Sequence, residues 1–173
     1  MQEAYLEGLS LFEDLTYEEK AELGALLEPA SFGIGEDILE EDGLEGYLYV
    51  LTSGAVEVYK EVFPGRRQLL ATIEAPAVEG EMGLVTRCPA VATVTAKEPV
   101  EAQRLPYEAF LKKLDAGSEA AYKVVYEIGR TLAERMARTD ERIASVVAQL
   151  EDTEPDRRDF DVFRDKLIRE WSF

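Results

Sequence analysis

The sequence predicts an α+β fold, with a β-rich middle set between short helices and one long helix. Three observations carry this. From about residue 31 to 105, short apolar runs recur between turn residues, as in a sandwich or barrel. Before them, "LSLFEDLTYEEKAELGALLEPA" spaces Leu11, Leu15, Leu23, Leu26 and Leu27 at helical intervals. After them, residues 118–150 hold no proline and repeat apolar side chains at steps of three and four.

The first helix has two candidate N-caps, Ser10 and Thr16; Thr16 has Glu19 three residues on, which makes a capping box. Pro29 is expected to end it. The β region then reads as a bend in "FGIGEDIL", a turn in "EEDGLEG" and an apolar strand in "YLYVLTSG" that breaks at Ser53-Gly54. "AVEVYKEV" alternates, "FPGRR" is a hairpin tip, and "QLLATIE", "VATVTA" and "VEAQRLP" complete the strands. Beyond Pro106, "YEAFLKKLDAG" is a short helix stopped by Gly117.

Along the long helix, Val125, Ile128, Leu132, Met136, Thr139, Ile143, Val146 and Leu150 form a heptad seam with a stutter between Leu132 and Met136. Such a seam serves either its own domain or a second copy. At 1.5 Å per residue the helix runs on the order of 50 Å, longer than a small β-domain, which favours a homodimer. The tail "EDTEPDRRDFDVFRDKLIREWSF" sets Phe160, Phe163, Leu167 and Trp171 on one face of a last short helix. That face would cap the assembly or dock on a protein partner.

Composition narrows the function classes. The 173 residues are 46% hydrophobic, enough for one domain with an appendage, and 19 Lys+Arg against 36 Asp+Glu give a formal charge of −17. That field repels phosphate polyanions, and no basic run exceeds Arg66-Arg67 or Arg157-Arg158, so nucleic-acid binding is not expected. No apolar segment has the length of a membrane span, and the acidic N-terminus is no signal peptide. Cys88 is the only cysteine, which suits a reducing cytoplasm. With no histidine, one cysteine and no phosphate-loop motif, neither an enzyme nor a metal site is expected.

The order of elements and several local motifs resemble the cyclic nucleotide-binding domain of the catabolite activator protein superfamily, from about Leu9 to Leu150. The opening carries Gly35-Glu36 at the first strand, and Ser53 to Val58 reads Ser-Gly-x-Val-x-Val. "EGEMGL" resembles the Gly-Glu turn of the family's phosphate-binding cassette, and "PAVATV" its Pro-Arg-x-Ala-x-Val exit. The resemblance implies a jelly-roll type β-roll with N-terminal helices, a long C-terminal dimerisation helix and a short tail helix. The corresponding boundaries are residues 1–117, 118–150 and 151–173.

It also implies a site. In the family the cassette helix receives the cyclic phosphate at its N-terminus, the Glu takes the ribose 2′-hydroxyl and an Arg pairs with the phosphate. Gly80 and Glu81 match, Leu84 falls in the apolar stretch, and Ala92, Thr93 and Val94 match the exit. Glu81 could equally hold the turn by accepting backbone N–H bonds. The arginine position is Ala90, and Val91 stands where a Ser or Thr is usual. Glu79 replaces an aromatic or aliphatic residue, and Pro76-Ala77 a Gly-Asp turn. Arg87 is a candidate substitute cation. On the long helix, Thr139-Asp140 lies near a polar pair that reaches the purine in family members, although the seam accounts for Thr139 as well.

A hydrogen bond to a charged group contributes about 1.5–3 kcal/mol, so losing the guanidinium alone weakens the site roughly 10- to 150-fold. The expectation is therefore a stand-alone, non-catalytic regulatory module without a helix-turn-helix domain, whose binding of cAMP or cGMP is weak or absent. The alternative is a small-molecule sensor, with cAMP, cGMP or another ligand in the same pocket, signalling through the long helix.

Overall fold

The computed structural model describes residues 2–152, and the alternating strands close there into two four-stranded antiparallel sheets. Two short 3-10 turns, Gln2–Leu6 and Ser10–Phe12, lead into α1, Tyr17–Gly24. The strands are β1 (Glu28–Phe32), β2 (Asp37–Leu39), β3 (Tyr47–Ser53), β4 (Ala55–Phe63), β5 (Arg66–Glu74), β6 (Ala77–Glu79), β7 (Thr93–Ala96) and β8 (Val100–Pro106). A short α2, Glu81–Thr86, sits between β6 and β7, and α3 (Tyr107–Asp115) and α4 (Glu119–Asp152) follow β8. One sheet has the order β1-β8-β3-β6 and the other β2-β7-β4-β5. This is a β-roll with helices before and after it, as the resemblance implies.

Strand alternation gives the first sheet two buried faces. Tyr49 and Leu51 of β3, with Val100 and Ala102 of β8, meet Ile38, Leu39, Val56, Val94 and Ala96 of the second sheet in the core between the sheets. On the opposite face, Leu48, Val50 and Leu105 are at most 1% exposed. The first 3-10 turn and α2 pack on β3 there, and α3 packs on β8. Each fully buried Leu, Ile, Val or Phe contributes about 1.5–3 kcal/mol relative to an exposed one. Gly54, between β3 and β4, has φ +90°, and a Cβ on it would stand 2.4 Å from the Pro99 carbonyl. The hairpin tip predicted at "FPGRR" forms between β4 and β5, with Gly65 at φ +75°.

Thr16 caps α1 as expected: its side chain accepts from the Glu19 amide and the Glu19 carboxylate accepts from the Thr16 amide. The helix ends earlier than Pro29, at Gly24. The amides of Leu26 and Leu27 bond only three residues back, to Leu23 and Gly24, which tightens the chain out of the helix. Pro29 instead lies in β1, at the edge of its sheet, where a missing N–H is tolerated.

The chain divides into two units at Gly129/Arg130, inside α4. In the first unit Ala120, Ala121, Val124 and Ile128 of α4 are 0% exposed. Of the seam, Ile128 is therefore filled by its own chain and Val125 is half-buried. In the second unit Leu132 and Ile143 are half-buried, Thr139 is exposed and Met136 is 46% exposed. The side chains of Val146 and Leu150, and the tail with its expected helix, lie outside the described residues.

Candidate functional site

The cassette begins where β6 ends. Gly80 takes a left-handed conformation, φ +89° and ψ 9°, and turns the chain into α2. A Cβ there would stand 2.8 Å from the Tyr47 carbonyl, so space as well as conformation requires glycine. One turn on, a Cβ at Gly83 would meet the Tyr107 hydroxyl at 2.7 Å. Tyr107, the first residue of α3, thus occupies the room that both glycines leave, and its hydroxyl donates to the Gly80 carbonyl at 2.5 Å. Burial, reinforced by the Glu45 and Glu81 charges, pushes the Tyr107 phenol well up, which keeps it a neutral donor. Leu84, 1% exposed, anchors the helix from its inner side. Glu81 opens α2 and is half-buried; Arg87 closes it at φ +53°, with an exposed side chain and its amide on the Gly83 carbonyl.

The exit from the cassette is tied down through its backbone. The Ala90 amide donates to Gly43 at 2.9 Å, and the Asp42 amide donates to the Ala90 carbonyl at 2.9 Å. The Ala90 methyl packs against the core between the sheets, so position 90 faces the roll interior. Val91 is 51% exposed, and its carbonyl accepts from the Lys60 ammonium at 2.7 Å. Lys60 also pairs with Glu41 at 2.5 Å. The Lys60 ammonium, and next the Glu61 amide, hold the Glu41 carboxyl below its ordinary range. The cation in direct contact with the cassette exit is therefore engaged by a carbonyl and a carboxylate. Beside it opens a cavity of about 400 Å³, lined by Glu40, Glu41, Asp42, Glu61, Arg67 and others, a setting that disfavours phosphate.

Register places a third group on the inner face. Glu79, Tyr49, Arg104 and Glu28 stand opposite one another across β6, β3, β8 and β1. The Arg104 guanidinium lies 4.5 Å from the Tyr47 ring centroid, and its Nε donates to Glu28 at 2.9 Å.

The structure thus brings Gly80, Glu81, Arg87, Ala90 and Val91 into one cassette between β6 and β7. Thr139 lies on α4 in the second unit, where its hydroxyl donates to the Arg135 carbonyl four residues back. Sequence reasoning missed Tyr107, Lys60 and Arg104. The one legible signal was Gly83, a glycine within a helix that something had to approach closely. Among the described residues no group of three or more Cys, Asp or Glu side chains is placed to hold a metal ion. No helix among them is long and apolar enough to cross a membrane.

Comparison with known proteins agrees with this geometry. The model of the cyclic nucleotide-binding domain family matches residues 29–117, about half of the chain. The cAMP-dependent protein kinase regulatory subunit of Aspergillus fumigatus is 30% identical over 114 residues, 66% of this chain and 27% of that protein. The chain thus spans little more than a quarter of that relative's length. Among solved structures, the catabolite activator protein of Thermus thermophilus superposes with a TM-score of 0.70 at 23% identity, over 79% of this chain and 62% of that one. The N-terminal domain of a transcriptional regulator from Streptomyces coelicolor gives 0.67 at 27% identity, over 78% and 94%.

Proposed function

The chain belongs to the cyclic nucleotide-binding domain family, and on that premise we propose that it is a non-catalytic regulatory module that binds cAMP and cGMP weakly or not at all. One observation carries this reading. Position 90, which faces the roll interior where the resemblance places the phosphate arginine, is an alanine whose amide is bonded to Gly43. Two further features act in the same direction. The Lys60 ammonium is held by Glu41 and the Val91 carbonyl, and Glu79 stands opposite Tyr49 in the sheet register. The cation in contact with the cassette exit is thus already engaged, and Arg87 lies at the C-terminal end of α2 with an exposed side chain.

The turn itself is intact, since Gly80, Glu81 and the α2 N-terminus keep the form of a cradle. That supports a second reading, a sensor of a less anionic small molecule. In either case the seam residues exposed in the second unit, Met136 above all, support a homodimer through α4. A protein partner docking on the tail, no nucleic-acid contact and a cytoplasmic location complete the reading.

The deciding experiment is calorimetric titration of the purified chain with cAMP and cGMP to millimolar concentration, with light scattering in the same buffer. A dimer without heat of binding is the expected result. Micromolar binding would overturn the reading and make Arg87 the first residue to replace.

A further inference from the structure

We propose that the free edge of β5 pairs antiparallel with β5 of a second copy of this chain, about a two-fold axis at Leu70, joining two four-stranded sheets into one of eight strands. β5 closes the order β2-β7-β4-β5, so β4 lies along one side of it and no described strand along the other. Of its nine residues all but Ile73 are exposed. Successive side chains point to opposite faces, so such a run means that both faces of the strand are open. Leu69 and Leu70 are 43% and 57% exposed. Edge strands are commonly blunted by a proline or by charges along their length, but residues 68–73 read Gln-Leu-Leu-Ala-Thr-Ile.

The strand is complementary to itself, which is what commits the edge to a second copy. With Leu70 on the axis, Arg66 falls opposite Glu74, Arg67 opposite Ile73, Gln68 opposite Thr72 and Leu69 opposite Ala71. Two Arg66–Glu74 pairs then flank four leucines. A slip of two residues either way separates those charges and shortens the overlap. The chain as a whole carries a formal −17, yet β5, with two arginines and one glutamate, is the one strand among the described residues with a net positive charge. A second acidic copy is therefore least repelled along this edge. Against β4 the register shifts between Val58/Tyr59, which face Ala71 and Leu69, so Leu70 has no residue opposite it. A bulge usually turns an edge away from pairing. Here it falls on the axis, and residues 66–69 and 71–74 remain as two uninterrupted stretches. One strand pair is a small interface, so the contact is expected at roughly 0.1–1 mM chain, well above the range of the α4 dimer.

The test is disulfide trapping in the full chain carrying Cys88→Ser, which removes the exposed native thiol. Directly opposed Cα atoms in an antiparallel pair lie about 4.5–5.5 Å apart, within the span of a disulfide. Leu70→Cys should therefore give a covalent dimer in a glutathione redox buffer at roughly 0.5 mM chain. Arg66→Cys alone should not, because the two copies of residue 66 stand about 27 Å apart along the paired strands; mixed with Glu74→Cys, it should. Adding Arg66→Glu to Leu70→Cys should lower the yield about fivefold, and adding Glu74→Arg as well should restore it. All three positions are exposed, so the substitutions leave the core untouched. Leu70→Cys linking no better than Arg66→Cys, the mixture linking no better than either variant alone, or no rescue by Glu74→Arg would each overturn the proposal and leave the edge to another protein strand. A monomer in light scattering at micromolar concentration would refute the α4 dimer and leave these ratios unchanged.

Discussion

The contact between Tyr107 and the two cassette glycines can be tested by a double-mutant cycle. Gly83→Ala places a methyl 2.7 Å from the Tyr107 hydroxyl, 3.1 Å from Cε2 and 3.3 Å from Cζ. The hydroxyl cannot simply swing away, because it is bonded to the Gly80 carbonyl and buried. Overpacking of this kind costs about 1–3 kcal/mol, while alanine returns up to about 1 kcal/mol of helix propensity. The net expectation is a loss of about 1–2 kcal/mol. Tyr107→Phe alone deprives the Gly80 carbonyl of its strong donor. A long bond from the Leu84 amide at 3.4 Å remains, so the loss should sit near the lower end of the usual range, about 1 kcal/mol.

Combined, the two changes should cost less than their sum. The shortest clash in Gly83→Ala is with the oxygen that Tyr107→Phe removes, and the next contact is the ring carbon at 3.1 Å. A favourable coupling of about 1 kcal/mol is expected, read from urea unfolding of the four proteins by circular dichroism. Additivity within about 0.5 kcal/mol would refute the argument, since it would mean that the hydroxyl does not set the space available at position 83.

Other expectations follow from single contacts. Ala90→Arg should raise cyclic-nucleotide affinity by less than the roughly 10- to 150-fold that a guanidinium contributes, because Val91 and Glu79 remain; calorimetry decides, and full family-like affinity would contradict it. Ile128→Ala, at a fully buried site, should cost about 2–5 kcal/mol of unfolding free energy. Met136→Lys, at a side chain 46% exposed, should leave that energy nearly unchanged and turn the proposed dimer into a monomer in light scattering. Glu41 has a carboxyl held low in the folded state, so its contribution is full above the unfolded pKa and fades as pH falls through the folded value. Glu41→Gln should therefore flatten the acid side of the stability profile measured by chemical unfolding between pH 3 and 7.

How far the sequence revealed the molecule depended on the kind of signal. Capping at Thr16, the hairpin at Pro64-Gly65 and the cassette turn at Gly80 rest on local backbone requirements, and local requirements are written in neighbouring residues. The early end of α1 at Gly24 was hidden because Pro29 is equally compatible with a helix stop and an edge strand. Ile128 looked like a seam residue because period alone cannot tell which surface a helix face will meet. Tyr107, Lys60 and Arg104 reach their partners across 27, 31 and 76 residues of chain, and no spacing rule covers such distances.

The cassette also shows why its shape and its charge can part company. Its shape is fixed from several sides at once: by the backbone of Gly80, by Tyr107 filling the space beside Gly83, and by Leu84 in the core. Altering any of these disturbs packing that the whole roll shares. The phosphate charge, in contrast, depends on one side chain at one position. An alanine at 90 keeps both backbone bonds to the 42–43 loop and packs its methyl on the core, so the fold loses nothing by it. A family likeness that rests on glycines, turns and apolar positions therefore reports the cradle faithfully while saying little about what the cradle holds. The ligand has to be argued from the side chains lining it. At the cassette exit those are the Ala90 methyl on the core and the Val91 carbonyl that holds Lys60.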